Sequence, residues 1–277
     1  MSKKSVACIP HLYADPCRNA GAGALLDWRT DVAARNAIGL RDRSLQAAFL
    51  TPIDYARESS LFYIVPKIAV ASSGGDGTIT LHFRETLATI GSIAINPSSA
   101  SEIVLARIVL AEQFESTPSL VPFQGTVAQG LAKADAVLCV GDDSLRESRT
   151  SVRALDLVEE WNEMTGLPYV HGFWVARERS LSAEEIREIQ QTSLDGRTGL
   201  ERIALAAAAA HRIPELGPEA ALEYLRQFSY DFDDETEQAV KEFLRFAYFH
   251  GILPDVADLQ FVDSDATEQT DASADVP

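Results

Sequence analysis

Apolar positions in the first fifty residues fall into two strand-length runs, SVACI at 5–9 and QAAFL at 46–50, the second stopped by Thr51-Pro52. Between them, DWRTDVAARNAIGLRD has the spacing of one helix followed by a polar turn. Strand, helix, strand in short units predicts a parallel or mixed sheet covered by helices. The β-branched run FYIVPKIAVASS at 62–73 breaks at Gly74-Gly75-Asp76-Gly77, and ITLHF resumes at 79–83. That pair predicts a hairpin or strand reversal about a tight glycine turn. SIAINP at 92–97 predicts a strand, and IVLARIVLAEQF at 103–114 supplies a helix that Ser98 or Ser99 can cap. After SLVPF, TVAQGLAKA predicts a short helix, and AVLCVGDDSL at 136–145 an apolar strand ending in two carboxylates and a hydroxyl. DLVEEWNEMTG at 156–166 starts strand-like and becomes a helix stopped by Gly166 and Pro168, before a strand at YVHGFWVARE, 169–178.

From Ser182 onward the pattern is helical. Ser182 is followed three residues later by Glu185, a helix-start signal, and further helices are predicted over 197–211, 218–227 and 233–250. Helices returning after two α/β segments predict a discontinuous first lobe, 1–90 with 176–261, and a second lobe, 91–175. The remaining stretch, 262–277, has no apolar periodicity and reads as a disordered acidic tail.

Composition narrows the functional classes. A chain of 277 residues is near the length at which one core divides into two. Asp and Glu number 41 against 24 Lys and Arg, a formal net charge of -17, which disfavours a nucleic-acid or anionic-membrane partner. The N-terminal segment lacks a secretory pattern and no apolar run reaches membrane-helix length, so a cytoplasmic location is expected. Cys8, Cys17 and Cys139 have no CxxC spacing and read as bland thiols. GGDG at 74–77 lacks phosphate-loop spacing, and no HExxH or triad spacing occurs, so neither cofactor nor metal is called for. A homodimer is only the default expectation.

Strand ends carry the candidate chemistry, because open α/β sheets bind ligands outside the carboxyl ends of their strands. Ser98, Ser99 and Ser101 stand where a strand turns into a helix N-terminus, where hydroxyls and free N–H groups can hold a carboxylate. Asn96 can add an amide contact or form the turn. Thr51 faces from the first lobe, with Asp54 either in the pocket or capping a short helix. Gly141 permits close backbone approach, and Asp142 can orient a hydroxyl. His11 and His171 are the candidate acid–base residues. Tyr13, Trp161, Tyr169 and Trp174 read as core packing or cleft lining, and Arg57, Arg84 and Arg177 are available to a carboxylate.

Six segments together resemble the menaquinone-biosynthesis family of chorismate dehydratase and dihydroxynaphthoate synthase. They are AAFLTPIDYAR at 47–57, YIVPKIAVASSGGDGTITLHF at 63–83, IAINPSSASEIVLARIVLAEQF at 93–114, ADAVLCVGDDSL at 134–145, DLVEEWNEMTGLPYVHGFWVAR at 156–177 and EYLRQFSYDFDDETEQAVKEFLRFAYFHGIL at 223–253. The EEW…TGLPYV…FWVAR run is closer to the dehydratase branch. The resemblance implies an α/β, two-lobed fold like that of type 2 periplasmic binding proteins, with a central ligand cleft. It implies conversion of chorismate to 3-[(1-carboxyvinyl)oxy]benzoate and water, with His11 and Asn96 catalytic and Tyr13, Thr51, Ser98, Ser99, Ser101, Gly141, Asp142 and His171 binding substrate. The alternatives are a silent small-carboxylate binder and an enzyme acting on a cyclic futalosine derivative. The chain departs from the dehydratase pattern at Tyr13 in place of asparagine, Asn96 in place of aspartate, Ala100 in place of arginine and Ser101 in place of threonine.

Overall fold

A computed structural model describes residues 3–18, 25–147, 153–214 and 216–262. The short apolar run at the start becomes β1 (Lys4–Cys8), β2 (Leu26–Thr30) and α1 (Ala33–Arg41) follow, and QAAFL supplies β3 (Ala47–Leu50). The sequence reading missed β2: LDWRT has one apolar face, and its pairing with β1 in parallel from Lys4↔Leu26 to Cys8↔Thr30 supplies what its propensity does not. Thr51 and Pro52 then open α2 (Pro52–Ala56), where proline's missing N–H falls in the first turn.

The long run beyond α2 forms β4 (Phe62–Ser72), and ITLHF forms β5 (Ile79–Phe83). These two are not a hairpin: they belong to different sheets, and the glycine segment carries the chain from one to the other. Gly74 and Gly77 have φ of 135° and 72°, so the crossing uses backbone that residues with a Cβ rarely adopt. Next come β6 (Ser92–Ile95), α3 (Ala100–Phe114), β7 (Ser119–Pro122), α4 (Val127–Leu131), β8 (Ala136–Val140), α5 (Asp142–Glu147), β9 (Ala154–Asp156) and α6 (Leu157–Thr165). SLVP, to which the sequence reading assigned no element, is an edge strand paired in parallel with β6. Asp156 caps α6 by accepting from the N–H groups of Val158 and Glu159, and Gly166 ends it at φ 69°.

The chain returns as β10 (Tyr169–Arg177), buried along nearly its whole length, and ends in α7 (Ala183–Thr198), α8 (Leu200–Ala209), α9 (Pro218–Leu225), β11 (Phe228–Ser229) and α10 (Asp234–Phe249). Ser182 and Glu185 form the expected reciprocal cap of α7. The first sheet has the order β11-β4-β10-β3-β1-β2, the second β7-β6-β8-β5-β9. On sheet membership we propose that the lobes cross between β4 and β5 and between β9 and β10, not near 90 and 175, because β5 pairs with β8 and β9 while β10 pairs with β3 and β4. Trp161 of α6 packs edge-on against Phe243 and Phe246 of α10, and Phe243 meets Tyr169 of β10 in the same way, so the last helix seals the join.

Of the acidic tail, residues from 263 onward lie outside the described residues. Val262 does not belong to it: its N–H donates to the Ile64 carbonyl at 2.9 Å, beside a parallel bridge between Ile64 and Phe261. All three cysteines are free and buried, and burial pushes the thiols of Cys17 and Cys139 up to about 12. Among the described residues no helix is long and apolar enough to cross a membrane.

Candidate functional site

A cavity of about 450 Å³ lies between the two sheets. Its wall takes residues that follow the carboxyl ends of β1, β2 and β3 in one sheet and of β6 and β7 in the other, together with β8 residues from Val137 to Val140. β1 and β3 are parallel neighbours, as are β6 and β8, so their polar ends emerge side by side. His11, Tyr13, Thr51, Asn96, Ser98 and Ser99 all contribute to this one wall.

The serine cluster is only partly as expected. Ser99 is the N-cap of α3 but makes no side-chain cap bond. Its N–H donates to the Asn96 carbonyl, and the Ser98 N–H donates to Asn96 Oδ1, each at 3.1 Å. Asn96 therefore forms the turn with its side-chain oxygen and keeps its amide N–H groups for the cavity. Ser101 does not reach the cavity: its buried Oγ accepts from the Ile53 N–H of α2 at 2.9 Å, so it ties α3 of one sheet to the other. Thr51 lines the cavity, but its hydroxyl donates to Asp54 Oδ2 at 2.8 Å, which commits its proton. Asp54 is outside the wall, and burial pushes its carboxyl up despite that bond.

Gly141 and Asp142 support the site instead of lining it. Gly141 has φ 64°, and a Cβ there would lie 2.1 Å from His11 Nδ1, so it is the imidazole, not a ligand, that approaches this backbone. Asp142, at the start of α5, accepts from the Leu12 N–H at 2.8 Å and from Arg212 Nε at 2.6 Å. Arg212 also donates to Asp15 at 2.6 Å and to the Pro10 carbonyl, and so anchors the segment that carries His11. Burial lowers the His11 pKa more than the nearby Asp142 raises it, which favours the neutral imidazole.

His171 is buried behind the wall, with Nε2 2.9 Å from Ser72 Oγ and 3.0 Å from Asp76 Oδ2. Although burial alone would raise it, the Asp76 carboxyl is held low by His171, Ser72 and Thr78. Tyr13 separates the two histidines, stacked on His11 at 5.4 Å and tilted against His171 at 4.9 Å. Trp161, Tyr169 and Trp174 are core residues outside the wall. The three candidate arginines are also elsewhere: Arg57 faces Asp54 at 3.8 Å, Arg84 pairs with Asp135 at 2.9 Å, and Arg177 ends β10. Among the described residues the wall contains neither Lys nor Arg.

The sequence reading missed Glu102 as a site residue. It occupies the first turn of α3, is 5% exposed, lines the cavity, and its Oε2 has no protein partner. Burial, reinforced by Asp54, pushes its carboxyl up to about 7. The Glu in SASE has the signature of an ordinary helix-start acid, and only the burial of this turn distinguishes it. Phe123, Gln124 and Gly125 also join the wall, brought there by the unforeseen strand β7.

A family model described as menaquinone biosynthesis matches residues 29–249. Chorismate dehydratase of Thermus thermophilus is 22% identical over 206 residues, covering 68% of this chain and 74% of that protein. A solved structure from Archaeoglobus fulgidus superposes with a TM-score of 0.71 at 17% identity, covering 91% of this chain and 98% of its own. A Candida albicans protein described as having the generic periplasmic binding protein fold superposes at 0.66 and 14% identity, covering 96% and 100%. The fold is therefore the two-lobed α/β architecture of periplasmic binding proteins.

Proposed function

The chain belongs to the menaquinone-biosynthesis family, and from that premise we propose that it is a chorismate dehydratase, a hydro-lyase releasing 3-[(1-carboxyvinyl)oxy]benzoate and water. The observation that carries the reading is the convergence of His11, Asn96, Ser98 and Ser99 on one cavity between the sheets. The volume of about 450 Å³ suits a small organic acid. Dehydration removes the ring proton at C3 and the hydroxyl at C4, and aromatisation supplies the driving force.

In this reading the N-terminus of α3, with the hydroxyls of Ser98 and Ser99, holds a substrate carboxylate in place of the absent Lys or Arg. Neutral His11 and the free amide of Asn96 donate to the departing hydroxyl. Gly141 and the Arg212–Asp142 pair fix the imidazole's place.

Purified protein incubated with chorismate, with products followed by chromatography and mass detection, tests the activity: stoichiometric aromatic product is the expected result. If folded protein leaves chorismate intact, the reading falls. Removal of both the His11 and Ser99 side chains should then lower turnover by roughly 10²-fold or more. Full turnover in that double variant overturns their assignment. A wall without Lys or Arg among the described residues, and Tyr13 in place of the family's asparagine, favour a second reading, a silent small-carboxylate binder. It predicts saturable chorismate binding by calorimetry with no product.

A further inference from the structure

Contacts that start at the cavity wall run through the crossing between the sheets and come back to the wall. His171 of β10 lies outside the wall, yet Tyr13 packs on it at 4.9 Å and on His11 at 5.4 Å. The Ser72 hydroxyl, at the end of β4, donates to Asp76 Oδ2 at 2.6 Å, which commits its proton. His171 therefore carries its own proton on Nε2, where the Ser72 oxygen and the Asp76 carboxylate both accept. The other carboxylate oxygen, Oδ1, accepts from the Thr78 N–H at 2.7 Å and from the Thr78 hydroxyl, just ahead of β5. The Thr78 carbonyl accepts from the Gly141 N–H at 2.7 Å, and Gly141 is the backbone that the His11 imidazole approaches. Asp76 thus grips the first sheet with one oxygen and the start of the second with the other.

The second crossing is tied to the first. Asp156, the last residue of β9, accepts from the Gly77 N–H at 2.7 Å with Oδ2 and caps α6 with Oδ1. The side chains of Asp76 and His171 are each 1% exposed, so their bond is made away from water, where it is stronger. Room for movement adjoins it. A cavity of about 260 Å³ lies on the far side of the crossing, bounded by Asp76, Gly77, Leu145 of α5, and Leu216 and Tyr224 at α9. Nothing lies within 4 Å of a Cβ built at Gly74. Periplasmic-binding folds close on their ligands by rotation at a few such residues.

We propose, resting on the reading of the cavity as a chorismate site, that Ser72, Asp76 and His171 form a hinge clasp that couples occupation of the cavity to the angle between the lobes. A ligand seated against His11 acts through Tyr13 on His171 and through Gly141 on Thr78, and Asp76 joins the two routes. The made clasp holds the two walls facing each other across the cavity. With the carboxylate released from either sheet, the crossing turns about Gly74 and Gly77. Linkage is reciprocal: the factor by which chorismate favours the made clasp is the factor by which the made clasp favours chorismate.

Hydrogen exchange read by mass spectrometry on the full chain, with and without saturating chorismate, tests the coupling. Neither residues 72–75 nor Asp76, Gly77, Thr78 and His171 line the cavity, so protection over 73–78 reports coupling and not contact. In the wild type, chorismate should slow exchange over 73–78 on the order of tenfold, together with protection of the wall segment 94–99. His171→Phe keeps a ring against Tyr13 but has no donor for Asp76. It should bind chorismate on the order of tenfold more weakly by calorimetry, and its exchange over 73–78 should no longer respond to the ligand. His171→Gln offers an amide N–H near the place of Nε2 and should recover part of both effects. Thermal unfolding of each variant separates this from mere support: a lower midpoint with the ligand response over 73–78 intact overturns the proposal. So does a wild type in which 94–99 is protected and 73–78 is unchanged, a result that needs no variant and leaves the chorismate reading standing. A wild type with no heat of binding and no protection at 94–99 overturns that reading and the coupling with it.

Discussion

Single residues decide how the cavity is charged. Glu102 ionises near 4.5 when unfolded and near 7 when folded, so the folded state favours the neutral acid. Its contribution to stability is complete below about pH 4.5, falls as the pH rises, and levels off above about 7, a total of roughly 3 kcal/mol. Chemical unfolding from pH 4 to 8 should therefore show Glu102→Gln losing less stability than wild type, and parallel curves for the two proteins would contradict the buried carboxyl. Gly141 supports a second prediction. Alanine there must take φ 64° and displace the His11 ring, so Gly141→Ala should cost roughly 1–3 kcal/mol and lower turnover as far as removal of the imidazole does. Thermal unfolding beside the chorismate assay checks both. The sequence marked Gly141 as a place of close approach but could not say what approached, since His11 is 130 residues earlier in the chain. Glu102 was illegible for the same reason: α2, nearly fifty residues earlier in the chain, packs against the turn that carries it and leaves no local signal there.

Elements with a strong period were read correctly, and those held by partners were not. α3, α7 and α10 carry caps or apolar faces that a short window detects. β2 and β7 are short strands at the outer edges of their sheets, specified by parallel pairing with β1 and β6, which only the folded chain supplies. The apparent β4–β5 hairpin failed because a glycine turn looks alike whether strands pair across it or separate into two sheets. Contacts between elements then fix the site: α5 is joined to the β1 loop through Asp142, and α3 to α2 through Ser101. Asp142→Asn replaces the acceptor facing Arg212 Nε with an amide, breaking a largely buried ion pair while Asp15 still holds the arginine. A loss of roughly 2–3 kcal/mol is expected, read as a lower urea midpoint at unchanged slope. An unaltered midpoint would mean that Asp15 alone secures Arg212.

At the scale of the whole molecule, the sequence disclosed the two-lobed fold through its resemblance and the element order, and the charge through simple counting. What it could not disclose is how little the cavity offsets that charge. A net -17 surrounds a cavity whose wall has no Lys or Arg among the described residues, while the proposed substrate is a dianion. The protein's field therefore opposes encounter where many enzymes steer it, and local donors at α3 act only after entry. Salt shortens the Debye length from about 30 Å at 0.01 M to about 8 Å at 0.15 M, which removes most of that long-range repulsion. We expect kcat/KM for chorismate to rise several-fold across this range, with kcat nearly constant because salt acts on the encounter and not on substrate already bound. Stopped-flow and steady-state rates in sodium chloride at fixed pH separate the two quantities. A kcat/KM that falls with salt would show that cations gather substrate at the cavity mouth, and would direct attention to the basic side chains around it.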